Sequence, residues 1–174
     1  MNLNKGIYME YIYKRLTFSD LNNCAKQFIL SFQELPWNET WTYEQAVSRL
    51  SEIMSSDVSR GFVIYDGEQV VSTLCGRIMT YMDEREFWID DFSVHPHYQG
   101  QGIGKKMLMY IEKELVHDCV DKLMLNTMRG YECQSFYEKQ GFTLEPNMII
   151  MSKKNRSLHY MKWSISYLNL QTIA

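Results

Sequence analysis

Apolar positions along this chain follow two periods in alternating blocks, and the blocks predict its elements. "MEYIYKRL" (9–16) alternates and is rich in aromatic and β-branched residues, as a strand requires. Ser19 and Asp20 supply N-cap chemistry for a helix running to about Phe32. After an aromatic loop, "ELPWNETW" (34–41), Thr42 with Gln45 reads as a capping box. The helix behind it stacks Ala46, Val47, Leu50, Ile53 and Met54 on one face. "GFVIY" (61–65), an Asp66-Gly67 turn and "EQVVSTLCGRIMTYM" (68–82) predict a hairpin, and "REFWIDDFSV" (85–94) a further strand. "IGKKMLMYIEKEL" (103–115) is amphipathic, with Ile103, Met107, Leu108, Ile111 and Leu115 together. "KLMLNTM" (122–128) reads as a strand and "ECQSFYEKQ" (132–140) as a helix stopped by Gly141. "FTLEPNMIIMSK" (142–153) and "LHYMKWSISY" (158–167) read as two closing strands. This order predicts a mixed α/β layered domain rather than a strictly alternating doubly wound sheet.

Composition narrows the class. The chain has 174 residues with no repeat or Pro/Gly/Ser linker, so a single domain over 1–174 is expected. Apolar residues at 45% against 22% charged exclude a disordered chain. A net charge of −3 gives no electrostatic reason for a nucleic acid or an anionic membrane as partner. Cys24, Cys75, Cys119 and Cys133 stand far apart without a C-x-x-C pair, which speaks against a zinc knuckle or redox motif. The opening "MNLNKGIYMEY" lacks an apolar run of signal-peptide length, and no window approaches a membrane span. A reduced, cytoplasmic setting is expected. His95 and His97 have no third ligand in view, so no metal is expected.

One stretch demands a chemical explanation. "HPHYQGQGIGKK" (95–106) packs Gly100, Gly102 and Gly104 between a strand and an amphipathic helix. A helix N-terminus leaves its first amides unpaired and carries partial positive charge, and glycines let backbone approach an anion closely. Lys105 and Lys106 in the first turn oppose the helix dipole by a few tenths of a kcal/mol, a conflict that a bound polyphosphate would remove. A P-loop fits poorly, because Gly100 to Gly104 is one residue short and Lys106 replaces the Ser/Thr that would hold magnesium. The dinucleotide fingerprint needs G-x-G-x-x-G, and here the run is G-x-G-x-G.

"FSVHPHYQGQGIGKKML" instead resembles the acetyl-CoA-binding segment of the GNAT N-acetyltransferases, whose pattern Q/R-x-x-G-x-G/A is matched by Gln99, Gly102 and Gly104. "SFYEKQGF" (135–142) resembles the family's second signature, a helix carrying a tyrosine followed closely by Gly-Phe. The element order agrees from residue 9 to about 167. The resemblance implies a GNAT-like α/β fold: a mostly antiparallel seven-stranded sheet flanked by about four helices. It implies acetyl-CoA as co-substrate, its pyrophosphate held by backbone amides of Gln99, Gly100, Gln101, Gly102, Ile103, Gly104 and Lys105. Phe92, Ser93 and Val94 would offer strand-edge groups to the pantetheine arm. Where many family members carry an asparagine upstream of the tyrosine this chain has Gly130, with Asn126 nearby, and Tyr131 and Gln134 are further candidates to line the cofactor.

The activity implied is acetyl transfer to a primary amine of a small molecule, polyamine- or aminoglycoside-like. The other readings are a protein or peptide acceptor, or a non-catalytic acyl-CoA sensor. An alkylamine is mostly ammonium near neutral pH, so a group must take its proton, and the departing thiolate must be stabilised. By the motif match Tyr137 is the general acid. In "FWIDDFSV" Asp90 stands where many family members place an acid toward the amine, with Asp91 and Glu86 as alternatives. The two adjacent aspartates should point to opposite sheet faces. The acceptor is expected between the first helices and the sheet, among Phe32, Glu34, Trp37, Trp41, Tyr81 and Trp88, with Glu39, Asp83 and Glu84 nearby to suit a cation. The edges of the closing strands could pair with a second copy as a homodimer.

Overall fold

The structure is a computed structural model and describes residues 10–154. Its elements are β1 (Ile12–Arg15), α1 (Leu21–Gln33), α2 (Tyr43–Ile53), β2 (Ser59–Asp66), β3 (Gln69–Tyr81), β4 (Glu84–Val94), α3 (Ile103–Leu115), β5 (Lys122–Leu125) and α4 (Glu132–Lys139). The five strands form one sheet in the order β1-β2-β3-β4-β5. All neighbours pair antiparallel except β4 and β5, which pair in parallel after the crossover through α3. This is an α/β mixed sheet with four α-helices among the described residues.

Local chemistry sets the helix starts. The Thr42 hydroxyl accepts the Gln45 N–H while the Gln45 side chain accepts the Thr42 N–H, the reciprocal box that the spacing predicts for α2. Ahead of α1 the carboxylate of Asp20 accepts from the Thr17 amide and hydroxyl, the Tyr65 hydroxyl and, at 2.6 Å, the Lys14 ammonium. Burial opposes ionisation of Asp20, but these bonds outweigh it and hold the carboxyl at about 2. The β2–β3 hairpin loop is Gly67-Glu68, one residue later than expected, because Asp66 pairs with Gln69.

Alternation along the strands divides the core. On one face Val63, Val70 and Cys75 pack against Cys24, Ala25, Phe28 and Phe32 of α1 and Ala46 and Leu50 of α2. On the other, Phe62 meets Phe87 of β4 and Tyr110 of α3 edge-on. Ile103, Met107, Leu108, Ile111 and Leu115 form the fully buried stripe of α3, as its periodicity predicts. Each such burial contributes about 1.5–3 kcal/mol before entropy is charged against it.

Two expectations need correction. The sheet has five strands among the described residues, not seven. Residues 142–153 form no strand: Pro146 lacks the N–H a ladder needs, the Met148 N–H bonds back to the Glu145 carbonyl in a turn, and Ile149, Ile150 and Met151 are exposed. The second closing strand, 158–167, lies outside the described residues. The chain also divides into two compact units, one ending at Gly141 and one beginning at Phe142.

The feature that matters most for function lies inside the sheet. Cys75 of β3 pairs with Asp91, but Gly76 pairs with Ile89, so Asp90 is an extra residue in β4, a β-bulge. Gly76 faces it because nothing larger fits: a Cβ there would stand 2.0 Å from the Trp88 carbonyl oxygen. A bulge reverses which residues face which side. Phe87 lies on the α3 side, and beyond the bulge so does Phe92, whereas Asp91 and Ser93 reach α2 and α1 through Arg49 and Gln27.

Candidate active site

β4 and β5 part company at this bulge. Their pairing runs from Glu86–Lys122 to Ile89–Leu125 and stops, while β4 continues to Val94 against β3 alone. Among the described residues, Asp90 to Val94 therefore have no strand partner on their β5 side, and a fork opens there. The end of β4 is pinned from elsewhere: the Ser93 carbonyl accepts from the Ser72 hydroxyl at 2.9 Å, and the Val94 carbonyl from Ser31 at 3.0 Å and the Gln99 amide at 3.1 Å. The Gln99 side chain thus braces the turn from behind, and Gln101 does likewise through the His97 carbonyl at 2.7 Å.

The glycine turn arrives at the same place. Gly102 is the N-cap of α3 with φ +77°, a left-handed conformation costly for any residue with a Cβ, and Gly100 has φ +72°. No side chain caps the helix, and its first backbone bond is from the Lys106 N–H to the Gly102 carbonyl. The amides of Ile103, Gly104 and Lys105 are thus left for an outside acceptor. Lys105 is exposed beside them, whereas the Lys106 ammonium lies 4.7 Å over the Tyr11 ring. These features fit a pyrophosphate: free amides, helix polarity and a turn that carries no Cβ to obstruct the anion.

α4 closes the fork. The Phe136 ring packs 3.0 Å from where a Cβ on Gly104 would stand, and the Phe92 ring lies 6.1 Å from Phe136 and 6.4 Å from Tyr137, centroid to centroid. The structure therefore brings together Phe92, the start of α3 and Tyr137. Burial, with a smaller push from the neighbouring Cys133 thiol, raises the Tyr137 phenol well above the ordinary tyrosine value, so it keeps its proton through the physiological range. Gln134 is tied to the turn before α4 through the Gly130 N–H at 2.7 Å, while Tyr131 and Asn126 are exposed.

The three candidate bases stand in different environments. Glu86 is buried and accepts the Trp88 indole N–H at 2.7 Å. Asp91 is gripped by both Nε and Nη2 of Arg49 at 2.9 and 3.3 Å. Asp90 has one guanidinium contact, Arg77 at 3.2 Å, and a side chain 20% exposed against 12% for Asp91. Burial raises both aspartates above the ordinary carboxylate value, opposed at Asp90 by Arg77 and Arg49, and at Asp91 by the Arg49 bonds.

On the Arg49 side lies a cavity of about 530 Å³ lined by Glu39, Thr40, Trp41, Gln45, Ser48, Arg49 and Glu52. Trp41 and Glu39 belong to the neighbourhood expected for an acceptor. Phe32 is instead a core residue packed on Phe28, with Trp37 packed in turn on Phe32, and Tyr81, Asp83 and Glu84 are exposed where β3 turns into β4. Gln45, Ser48, Arg49 and Glu52 escaped the sequence reading. Their i, i+3, i+4, i+7 spacing is one stripe of α2, but a polar stripe reads equally as a solvated face. Glu34 lines a separate cavity of about 460 Å³ with Leu30, Gln33, Gln69, His95, Pro96, His97 and Tyr98. Among the described residues no three His, Cys, Asp or Glu side chains cluster as metal ligands, and no helix is long and apolar enough to cross a membrane.

The Acetyltransferase (GNAT) family profile matches residues 25–142, well over half of the chain. A ycf52-like N-acetyltransferase of Prochlorococcus marinus, itself uncharacterized, is 39% identical over 56 residues. That match covers 32% of this chain and 30% of the relative's length. Among solved structures, an aminoglycoside acetyltransferase from an uncultured soil metagenomic sample, in complex with sisomicin, superposes with a TM-score of 0.66 at 17% identity. It covers 84% of this chain and 97% of its own. The ribosomal-protein-alanine N-acetyltransferase of Brucella melitensis superposes at 0.68 with 15% identity, covering 83% and 100%. At such identities the likeness is one of fold.

Proposed function

This chain belongs to the acetyltransferase (GNAT) family, and from that membership we propose that it transfers the acetyl group of acetyl-CoA to a primary amine of a small, positively charged molecule. The observation carrying this reading is the convergence at the β4–β5 fork of an uncapped α3 N-terminus, Phe92 and Tyr137 on one side and the paired aspartates on the other. Bound in the fork, acetyl-CoA would supply an acyl group activated as a thioester. The amides of Ile103 to Lys105 would hold its pyrophosphate, with Gly100 and Gly102 keeping the approach open. Phe92 to Val94 would flank the arm.

Asp90 takes the amine proton. Of the three acids it is the least committed to a partner, and burial raises its affinity for a proton, as a base working near neutral pH requires. Tyr137 serves the departing sulfur. A phenol so reluctant to ionise stays protonated as hydrogen-bond donor to the sulfur, and as general acid it passes that proton to the sulfur as the C–S bond breaks and recovers one from solvent after the thiol leaves. The acceptor occupies the cavity beside Arg49. Counting Glu39, Glu52 and Asp91 against Arg49, its surroundings are net anionic, and Trp41 offers a face to a cation. That favours a polyamine- or aminoglycoside-like amine. The catalytic unit is one domain of the expected single-domain, cytoplasmic protein, able to act alone or as a homodimer.

Free-thiol release from acetyl-CoA against polyamines, aminoglycosides, amino acids and short peptides tests the reading, beside thermal shifts with CoA. Turnover with a cationic small amine is expected. Turnover with peptides alone would move the acceptor to protein. Stabilisation by CoA without turnover on any amine would favour a sensor, and no stabilisation would overturn the cofactor site itself.

A further inference from the structure

The connection from β5 to α4 holds a side-chain atom with no role in the fold. Thr127 stands two residues past the end of β5, and its hydroxyl oxygen is fully buried without a hydrogen-bond partner. Among the described residues only Thr73 shares that condition, and the Thr73 hydroxyl lies against the Cys24 thiol. A buried hydroxyl left unpaired is a standing cost to folding, and each such group in a native structure calls for an explanation, of which a ligand that arrives later is one.

Position says what that partner is. The β4–β5 ladder ends at Ile89–Leu125, so a chain continuing in register would set Thr127 level with Asp91, at the opening of the fork. The connection is tied to the first turns of α4 by the Gly130 N–H to Gln134 and by the Cys133 thiol to the Met128 carbonyl at 3.7 Å. That helix packs Phe136 and Tyr137 onto Phe92 across the fork. Thr127 is therefore held in a braced segment along one wall of the space where β4 lacks a strand partner.

We propose that the Thr127 hydroxyl is a cofactor-binding group that hydrogen-bonds an amide of the pantetheine arm of coenzyme A. This rests on the reading of the fork as the cofactor site. A hydroxyl suits the task because it can donate to the amide carbonyl or accept from the amide N–H. The nucleotide half of the cofactor, held by the glycine turn, does not touch it. Binding thus satisfies a group that folding leaves unsatisfied.

The test compares wild type, Thr127→Val and Thr127→Ser by calorimetry with CoA and with 3′-phospho-ADP, which lacks the arm, and by thermal unfolding without ligand. Valine is nearly isosteric and removes only the hydroxyl. Roughly three- to tenfold weaker CoA binding is expected for Thr127→Val, with 3′-phospho-ADP affinity unchanged and Thr127→Ser close to wild type. The free Thr127→Val protein should melt at or above the wild-type temperature, since it loses only an unpaired polar group. Unchanged CoA affinity in Thr127→Val would overturn the inference. So would equal losses with both ligands, or a lower melting temperature of the free protein, which would mean the hydroxyl already has a partner. Failure of the wild type to bind CoA would overturn the fork reading and this inference with it.

Discussion

Replacing Arg49 by methionine keeps most of the apolar stem and removes the fork that grips Asp91. The structure fixes how much this should cost. Stripping the partner from a fully buried ion pair destabilises by about 3–5 kcal/mol, because the remaining charge is left in low dielectric. Here the Asp91 side chain is 12% exposed but Arg49 is 43% exposed, so water can enter at the Arg49 end and solvate the abandoned carboxylate. Discounting for that leaves about 2 kcal/mol, or a fall in Tm of about 4–8 °C for a chain of this size. The pH dependence identifies the cause. Burial already raises Asp91, with Arg49 opposing, so removing Arg49 raises it further. A carboxyl with a folded-state pKa above its unfolded value favours the folded state at low pH and disfavours it as pH rises through the folded value. The penalty of Arg49→Met should therefore be full near neutral pH and shrink toward zero as Asp91 is protonated in both states. Urea unfolding near pH 7, and again at the lowest pH where the wild type stays folded, checks this, with Arg49→Met/Asp91→Asn expected to recover most of the loss at neutral pH. The same loss at both pH values would refute the argument, because the guanidinium would then be acting through packing alone.

Tyr137→Phe should lower kcat by about 10²-fold while CoA affinity, followed by calorimetry, stays unchanged. Unchanged kcat would remove the tyrosine from the reaction. Gly102→Val forces a β-branched residue to φ +77°, costing about 1–3 kcal/mol. Its thermal stabilisation by CoA should fall well below that of the wild type. Gly76→Ala places a Cβ 2.0 Å from the Trp88 carbonyl oxygen. It should destabilise by at least about 3 kcal/mol in urea, and a stability equal to the wild type would mean the bulge does not depend on that close approach.

Much of the scaffold was legible because its signals are local. The 3.6-residue period marked α3 from Ile103 to Leu115, the bounds it has, and the Thr42–Gln45 box marked the start of α2. The glycine turn was legible for the same reason: a free helix N-terminus after a strand has few uses. Segment 142–153 shows the limit. Its apolar residues read as a strand, yet a strand exists only through its ladder, and Pro146 interrupts the donors a ladder would use. The cavity wall was hidden differently, since Gln45, Ser48, Arg49 and Glu52 look like any solvated stripe until the sheet opposite supplies Asp91.

The roles of the adjacent aspartates depend on a feature with almost no sequence signal. Read with strict alternation, β4 would send Phe87, Ile89 and Asp91 to the α3 face and Phe92 to the other. Tyr137 would then have no aromatic floor, and Arg49 would have to reach through the sheet. The single extra residue at Asp90 reverses the phase, so Phe92 comes under Tyr137 on one face while Asp91 turns to Arg49 on the other. It also leaves Asp90 outside the ladder, held by one contact to Arg77, at the point where β5 stops following β4. The trace it leaves in the sequence is Gly76, a glycine within a strand otherwise rich in valine, isoleucine and threonine. Such a residue marks either a bulge or a close backbone approach, and here it marks both. One inserted residue thus opens the fork, aims the aromatic wall and separates the locked acid from the available one.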